Sequence, residues 1–552
     1  MKRITLLIVG VLLIPFFSNA GGIVTNQNQS AAYIRMFARD ASTDIDAVFF
    51  NPAGLTKLND GFYISLNYQY IKQNKVVTSN YVNLATMPTS PTEYNGVINV
   101  PIFPSAYIAY KKGKFAVSFG WNPVGGGGGA TFDKGLPSFE TGISDLVPGL
   151  TARGLPTSEY SLNAYFEGSS VFWGYQLGVS YEINDIFSVY LGGRYVTAKN
   201  TYAGHLTDVM VNTAHPIYNP TLDMISASEL FANLSADATT AANSLQALST
   251  GGLGGVTLAT AAGLGYLTPT QLATLQAGYS SLGLDPLTAT IDDGIAPFTA
   301  SAGESAVKAM LLADQNDVEV EQTGSGFAPI LGVNINLLDK KLNIGLKYEF
   351  MTKLELENNT TTDFIIGYNP ATSSTIGMFP DGAKTRNDMP ALLSVGFDYK
   401  ITDKFKVASG FHYYFDKSAD YGRKLNGVHV ENKDVIDRNS TEFALGLEYK
   451  LSDKMLLSIG YLNTQTGVTE DYQTDLSYSQ HSNTVGFGGA YAISKGIDLN
   501  VGLGYTVYND ARKIYDATDA LGISHTTIET YDKDNLFVSF GLDFKLGGNK
   551  TE

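Results

Sequence analysis

Residues 171–183 read VFWGYQLGVSYEI. Val171, Trp173, Tyr175, Leu177, Val179, Tyr181 and Ile183 take every second position, with Gly174, Gln176, Gly178, Ser180 and Glu182 between them. A period of two sends successive side chains to opposite faces of a strand, so one face here is apolar and the other small and polar. The polar break INDIF follows at 183–187, and the alternation then resumes, which is a hairpin signal. The pattern recurs at 62–70, where Phe62, Ile64, Leu66, Tyr68 and Tyr70 oppose Ser65, Asn67 and Gln69. It recurs at 342–350 and again at 536–546, where Leu536, Val538, Phe540, Leu542, Phe544 and Leu546 oppose Ser539, Gly541, Asp543 and Lys545.

Fourteen such strands can be counted, beginning near residues 62, 105, 114, 171, 186, 327, 341, 391, 404, 441, 454, 484, 497 and 535. Six short turns (YKKGKF, INDIF, LLDKKL, ITDKF, LSDKM and ISKGI) alternate with seven longer segments, at 72–104, 122–170, 201–326, 353–390, 417–440, 465–483 and 509–534. An even strand count with short turns at one end and long loops at the other is the organisation of an outer-membrane barrel. A soluble sandwich has no reason to keep that asymmetry. The expected fold is therefore an all-β membrane protein, a 14-stranded antiparallel transmembrane β-barrel over residues 61–546. Residues 201–326 form a large, partly helical extracellular insertion, and 547–552 a C-terminal tail.

Bulk properties agree. The chain has 552 residues, no cysteine and a formal net charge of −16. No disulfide or thiolate chemistry is open to it, and the acidity argues against nucleic acid as a partner. Met1–Ala20 carries Lys2 and Arg3, an apolar run from Ile4 to Phe17 and the small residues Ser18-Asn19-Ala20. This reads as a cleaved secretory signal peptide, residues 1–20, with Gly21 as the mature start. No cysteine follows to take a lipid anchor.

The inward strand positions include many glycines, among them Gly178, Gly192, Gly345, Gly396, Gly410, Gly446, Gly460, Gly486, Gly502 and Gly541. Glycine weakens a strand and often marks close approach of another backbone, although it also relieves curvature in a closed sheet. Residues 21–60 precede the first strand and are the expected occupant, an N-terminal hatch inside the barrel. Within it, SAAYIRMFARDA is expected to place Tyr33, Met36, Phe37 and Ala41 on one helical face. IDAVFFNPAGLTKL follows, in which Asn51-Pro52-Ala53-Gly54 fits a type I turn feeding the chain into strand one.

The order of signal peptide, IDAVFFNPAGLTKL, fourteen strands and a last strand closing on Phe544 resembles the outer-membrane long-chain fatty acid and hydrocarbon transporters of the FadL/TodX type. RNDMPALLSVGFDYKITDKFKVASGFHYYFD is similar to later hairpins of that family. The resemblance implies uptake of hydrophobic small molecules: capture by extracellular loops, passage to an interior pocket, hatch rearrangement and lateral exit into the bilayer. Long-chain fatty acids are the first expectation for the cargo, neutral aromatic hydrocarbons the alternative, and a diffusion porin for polar solutes a third. It implies a hatch motif of Phe49, Phe50, Asn51, Pro52, Ala53 and Gly54. It places a lateral gate near Asn122, Pro123, Gly125 and Gly126, in FAVSFGWNPVGGGGGATF. The partners implied are outer-membrane lipid and, during biogenesis, the barrel-assembly machinery, although KLGGNKTE follows the terminal aromatic. The protein is expected in the outer membrane as a monomer.

A fatty-acid carboxylate in an apolar pocket needs a cation. Arg194, Lys199 and Lys424 are the candidates; for each, an inward salt bridge to a residue such as Glu349 is the competing reading. In the insertion, capping boxes are expected at Ser226–Glu229, Thr268–Gln271 and Ser301–Glu304. Phe231 and Leu234 would lie on an apolar helix face that either packs a cap on itself or captures cargo. No enzyme is expected. The six histidines lack metal-ligand spacing, no G-x-S-x-G turn occurs, and Gly125–Gly129 lacks the Lys-Ser/Thr of a phosphate loop. No metal or cofactor is implied.

Overall fold

A computed structural model describes residues 28–85, 92–369, 372–425 and 428–547. The expected signal peptide lies outside the described residues. A single antiparallel sheet closes on itself. Its fourteen staves are β1 (Gly61–Ser79), β2 (Thr92–Lys112), β3 (Phe115–Phe132), β4 (Tyr160–Glu182), β5 (Phe187–Val211), β6 (Gln315–Leu337), β7 (Leu342–Glu349, continued by Glu355–Thr362), β8 (Leu392–Lys400, preceded by Lys384–Arg386), β9 (Phe405–Tyr414), β10 (Thr441–Lys450), β11 (Met455–Gln465), β12 (Ser482–Ser494), β13 (Ile497–Tyr508, continued by Ala511–Thr518) and β14 (Ser524–Leu546). β14 pairs with β1 from Phe62↔Leu546 to Ser79↔Glu529, which removes both edges.

The apolar face of each stave points outward. Leu66, Leu177, Leu191 and Phe327 are 51–67% exposed, whereas their inward neighbours Ser65, Gln176 and Ser188 are buried. In water this would be an untenable surface; in a bilayer it is the lipid contact.

Several strands begin well before the expected residue: β2 at Thr92, β4 at Tyr160, β6 at Gln315 and β14 at Ser524. The reason is an inversion of polarity along each strand. From about residue 170 of β4 down to its turn after Glu182, outward positions are apolar. Above that stretch Ser161, Asn163 and Glu167 face out, and Tyr160, Ala164 and Phe166 are buried inside. β6 does the same, with Glu319 and Thr323 outside and Val318 and Val320 buried. These upper segments stand beyond the lipid, so water takes the outer face and an apolar core fills the inner one. Val77, Tyr94, Ile98, Phe132, Phe166 and Val318 belong to that core.

Residues 28–60 fill the lower lumen. Asp40 lies against Gly345, Gly396 and Gly410, Met36 against Gly446 and Gly460, and the backbone of Ala31–Ile34 against Gly486 and Gly502. A Cβ at these positions would overlap the segment, so the glycines form a track shaped to its backbone. Gly178 and Gly192 differ, because they make room for the ring of Tyr190. Helix in this segment is shorter than expected. Ala31–Arg35 is helical, capped by the Ser30 side chain, but Met36 is extended, so Phe37 and Ala41 lie off any common helical face. Contact with the wall on both sides outweighs local helical preference here.

The insertion after β5 carries helices Ala227–Leu248, Leu258–Gly263, Pro269–Ser281 and Ile291–Leu311. Ser226 caps the first, and Thr268 with Gln271 forms a full capping box at the third. The box expected at Ser301 is not a helix start. Thr290 and Asp293 form the box instead, and Ser301 lies mid-helix.

Candidate functional site

A cavity of about 330 Å³ lies between the N-terminal segment below and the apolar upper core above. Tyr33, Ile34 and Phe37 form its floor, and Ile98, Phe132 and Phe166 are among its upper wall. Its size falls at the small end of ordinary ligand pockets, roughly 300–1,000 Å³.

One side of this cavity is a defect in the barrel. β2 and β3 pair from Gly96↔Phe132 to Ile98↔Ala130 and again from Ala106↔Trp121, but residues 99–105 and 122–129 have no register between them. Pro101, Pro104 and Pro123 lack the N–H a ladder needs. Gly126 has φ +84°, and a Cβ there would strike the backbone of Ser170. Val100, Phe103, Pro123, Val124, Gly125 and Gly126 line both the seam and the cavity. Asn122 is buried, its side chain donating to the Pro123 carbonyl at 2.8 Å. On the lipid side Trp121 stacks on Trp173 at 4.8 Å.

The floor is pinned by polar contacts. Gly54 N–H donates to the Asn51 carbonyl at 2.8 Å, closing the turn. The Asn51 side chain donates to the Ser42 carbonyl and to Asn334 of β6, and a Cβ on Gly54 would meet that amide at 2.5 Å. Gln176 donates to the Val48 carbonyl, and Ser180 to that of Pro52, both at 2.6 Å. Ala53 packs against Tyr190 and Ile330. Phe50 stacks on Tyr33, ring centroids 5.0 Å apart. Phe49 lies between two cations, the Arg194 guanidinium at 4.9 Å and the Lys347 ammonium at 4.8 Å from its centroid. Both cations bind Glu349, at 2.5 and 2.6 Å. His412 joins Asp40 of the segment to Glu442 of β10, 2.8 Å to each, and Glu442 also lines the cavity.

The residues singled out from the sequence are distributed unevenly about this cavity. Arg194 is buried below it, engaged by Glu349 and Gln176. Lys199 is on the outer face, paired with Glu321 at 2.5 Å. Lys424 is on the short strand Lys424–Leu425, outside the lining. Phe231 packs with Leu146, Tyr160 and Val211 in the cap beneath the insertion, with Leu234 at its margin. Neither touches the cavity.

The two basic residues of the lining, Lys75 of β1 and Lys533 of β14, were not singled out. Both sit above the polarity inversion, where the alternation had been read as loop. Asp475, on the loop after β11, is buried at the rim, and burial pushes its carboxyl above the ordinary carboxylate value. Among the described residues no group of three or more His, Asp or Glu side chains is placed to hold a metal ion.

A model of the outer membrane protein transport family (OMPP1/FadL/TodX) matches residues 260–541. The structure is similar to that of a Pseudomonas aeruginosa FadL homologue, with a TM-score of 0.57 and 14% identity, covering 96% of this chain and 100% of that one. It is also similar to the Pseudomonas putida toluene transporter TodX, at 14% identity and a TM-score of 0.46 over 92% and 95% of the two chains. The Ralstonia pickettii toluene transporter TbuX gives 14% and 0.44 over 91% and 94%. No curated protein matches.

Proposed function

The chain belongs to the family of outer membrane transport proteins that includes FadL and TodX, and we propose that it carries long apolar molecules, fatty acids first among them, through the cavity and out between β2 and β3. Members of this family move hydrophobic compounds, and transport rather than catalysis is their activity. The observation that carries the reading is the coincidence of cavity and seam. A chamber of mixed apolar and polar lining, with Val100, Phe103, Val124 and Phe172 on its seam side, opens where the wall lacks its hydrogen bonds, and residues 28–60 close the path below. A polar solute would have to displace that floor. An apolar one can leave sideways, where Trp121 and Trp173 meet lipid. In this reading residues 21–60 are the hatch, the NPA turn of Asn51, Pro52 and Ala53 anchors it, and the loops above the lipid face the exterior. Neutral aromatic hydrocarbons by the same route remain the alternative cargo.

The test is uptake. Cells lacking endogenous fatty-acid and hydrocarbon transporters, expressing this protein, should accumulate labelled palmitate and to a lesser degree toluene. Sugar flux with neither apolar label taken up would overturn the proposal in favour of a polar pore.

A further inference from the structure

Lys75 and Lys533 are directly opposite one another across the β1–β14 seam, and both point inward. Like charges opposed on one face weaken a strand pair, so this placement costs stability. Other inward cations near the lumen have carboxylates. Arg194 and Lys347 share Glu349, Lys406 takes Asp398 and Glu448, and Arg35 takes Glu448. Among the described residues neither Lys75 nor Lys533 makes an ion pair or hydrogen bond. What they meet is aromatic. Both ammoniums lie over the Tyr478 ring, at 5.5 and 5.2 Å from its centroid, and Lys533 lies 4.4 Å from that of Tyr508. Nearby acids are engaged elsewhere. Asp534 accepts from Asn74 on the outer face, Glu529 from Tyr515 and Tyr531, and Asp475 from Ser138 N–H.

Two adjacent ammoniums without an ion-pair partner, on a cavity wall that also carries the rings of Tyr478, Tyr508, Phe132 and Phe166, are an arrangement a ligand anion completes. We propose that Lys75 and Lys533 are the headgroup site of the cavity, taking the carboxylate of an anionic amphiphile whose chain lies against the aromatic wall and points toward the β2–β3 seam. This rests on the transport reading above and adds to it which cations select the cargo. Arg194 is not needed for it, since its charge is already met by Glu349.

The experiment compares binding of labelled palmitate and of hexadecane to the purified protein in a non-ionic detergent. With Lys75→Gln and Lys533→Gln together, palmitate affinity should fall by roughly tenfold or more, the loss of a charge-assisted contact, while hexadecane binding stays within about threefold. Lys75→Arg with Lys533→Arg should retain palmitate. Unchanged palmitate binding in the Gln pair would overturn the headgroup site and leave the transport reading standing. Equal loss of both ligands, in a barrel that still shows heat-modifiable migration, would also overturn it, because a neutral chain has no charge to lose. Wild-type protein that bound neither ligand would overturn the transport reading itself.

Discussion

Phe49→Leu tests whether the hatch is held by the cations beneath the cavity. The ring is 3% exposed and lies 4.9 Å from the Arg194 guanidinium and 4.8 Å from the Lys347 ammonium. Leucine keeps the apolar bulk and the backbone carbonyl to which Lys347 donates at 2.8 Å, so the substitution removes the two ring–cation attractions together with the edge contact of the ring with Phe50 at 5.0 Å. A desolvated contact of this kind is worth about 2 kcal/mol and an exposed one about 0.5–1. Both sites are dry, but two cations share one ring, so the expected loss is about 2–4 kcal/mol. At 1.36 kcal/mol per tenfold, the open fraction of the segment should rise roughly 30-fold to 900-fold. The natural chain has no cysteine, so Ala47→Cys, at a position 0% exposed, supplies a single reporter that a water-soluble maleimide reaches only on opening. Labelling of the Phe49→Leu, Ala47→Cys protein should accelerate by that factor. A rate within about threefold of the parent, in a barrel of normal heat-modifiability, would refute the argument that these contacts hold the segment shut.

On the lipid face, Leu346→Arg or Val501→Arg should block assembly, since a cation facing mid-membrane lipid costs about 2–4 kcal/mol; normal heat-modifiable migration would contradict the facing. On the luminal face, Gly396→Val puts atoms where Asp40 and Ala41 run, and should yield an assembled barrel in which the Ala47→Cys reporter labels freely. In the helical cap, burial pushes Lys308 down to about 8, with Arg153 adding and Glu304 opposing. Between that value and 10.5 the unfolded chain holds the more protons, so cap stability should rise with pH across this window. Proteolysis of the insertion, normalised to an unstructured substrate, should slow accordingly, and Lys308→Met should flatten the dependence.

The membrane barrel was legible because lipid imposes one rule on fourteen strands. Leu177, Val179 and Tyr181 must face out wherever the chain crosses, and a period of two records it. The same rule explains what was missed. Above the lipid the outward residue is Glu167 or Glu319 and the inward one Phe166 or Val318, so the apolar set changes face in mid-strand. A register read from one apolar face loses the strand there, and with it Lys75 and Lys533, which read as charged loop residues. The glycines were legible as a group, since close approach leaves no other residue type. Which backbone approached each was not, and Gly178 and Gly192 face a tyrosine ring rather than the segment. The turn at Asn51–Gly54 could be read locally, because Pro52 and Gly54 allow few alternatives. The extended chain from Met36 could not, because the wall that imposes it comes from strands hundreds of residues away.

The two boundaries of the cavity differ in what holds them beyond apolar packing, and this bears on which one can move. Its upper wall is an apolar core whose burial no aqueous state replaces. Its floor has apolar packing of its own, with Tyr33, Ile34, Phe37 and Phe50 in one core with Tyr107, Phe172 and Phe537 of the wall, and adds many polar contacts: Gln176 to Val48, Ser180 to Pro52, Thr56 to Ser188, Asn51 to Asn334 and Arg35 to Glu448. Hydrogen bonds exchanged for water cost about 1 kcal/mol each, because water satisfies the same groups. That water is close at hand. A second cavity of about 540 Å³ lies under the segment, lined by Asp44, Lys57, Glu182, Asp398, Lys406 and Glu448. Movement of the floor toward the short-turn end therefore exchanges its polar contacts for another polar environment, while Tyr33, Phe37 and Phe50 must stay against the wall or the cargo; movement of the upper core would expose Phe132 and Phe166 with no such exchange. On the proposed route the floor yields, the cavity lengthens downward along the β2–β3 seam, and the apolar cargo, which gains nothing from the charged space below, leaves through the gap in the wall.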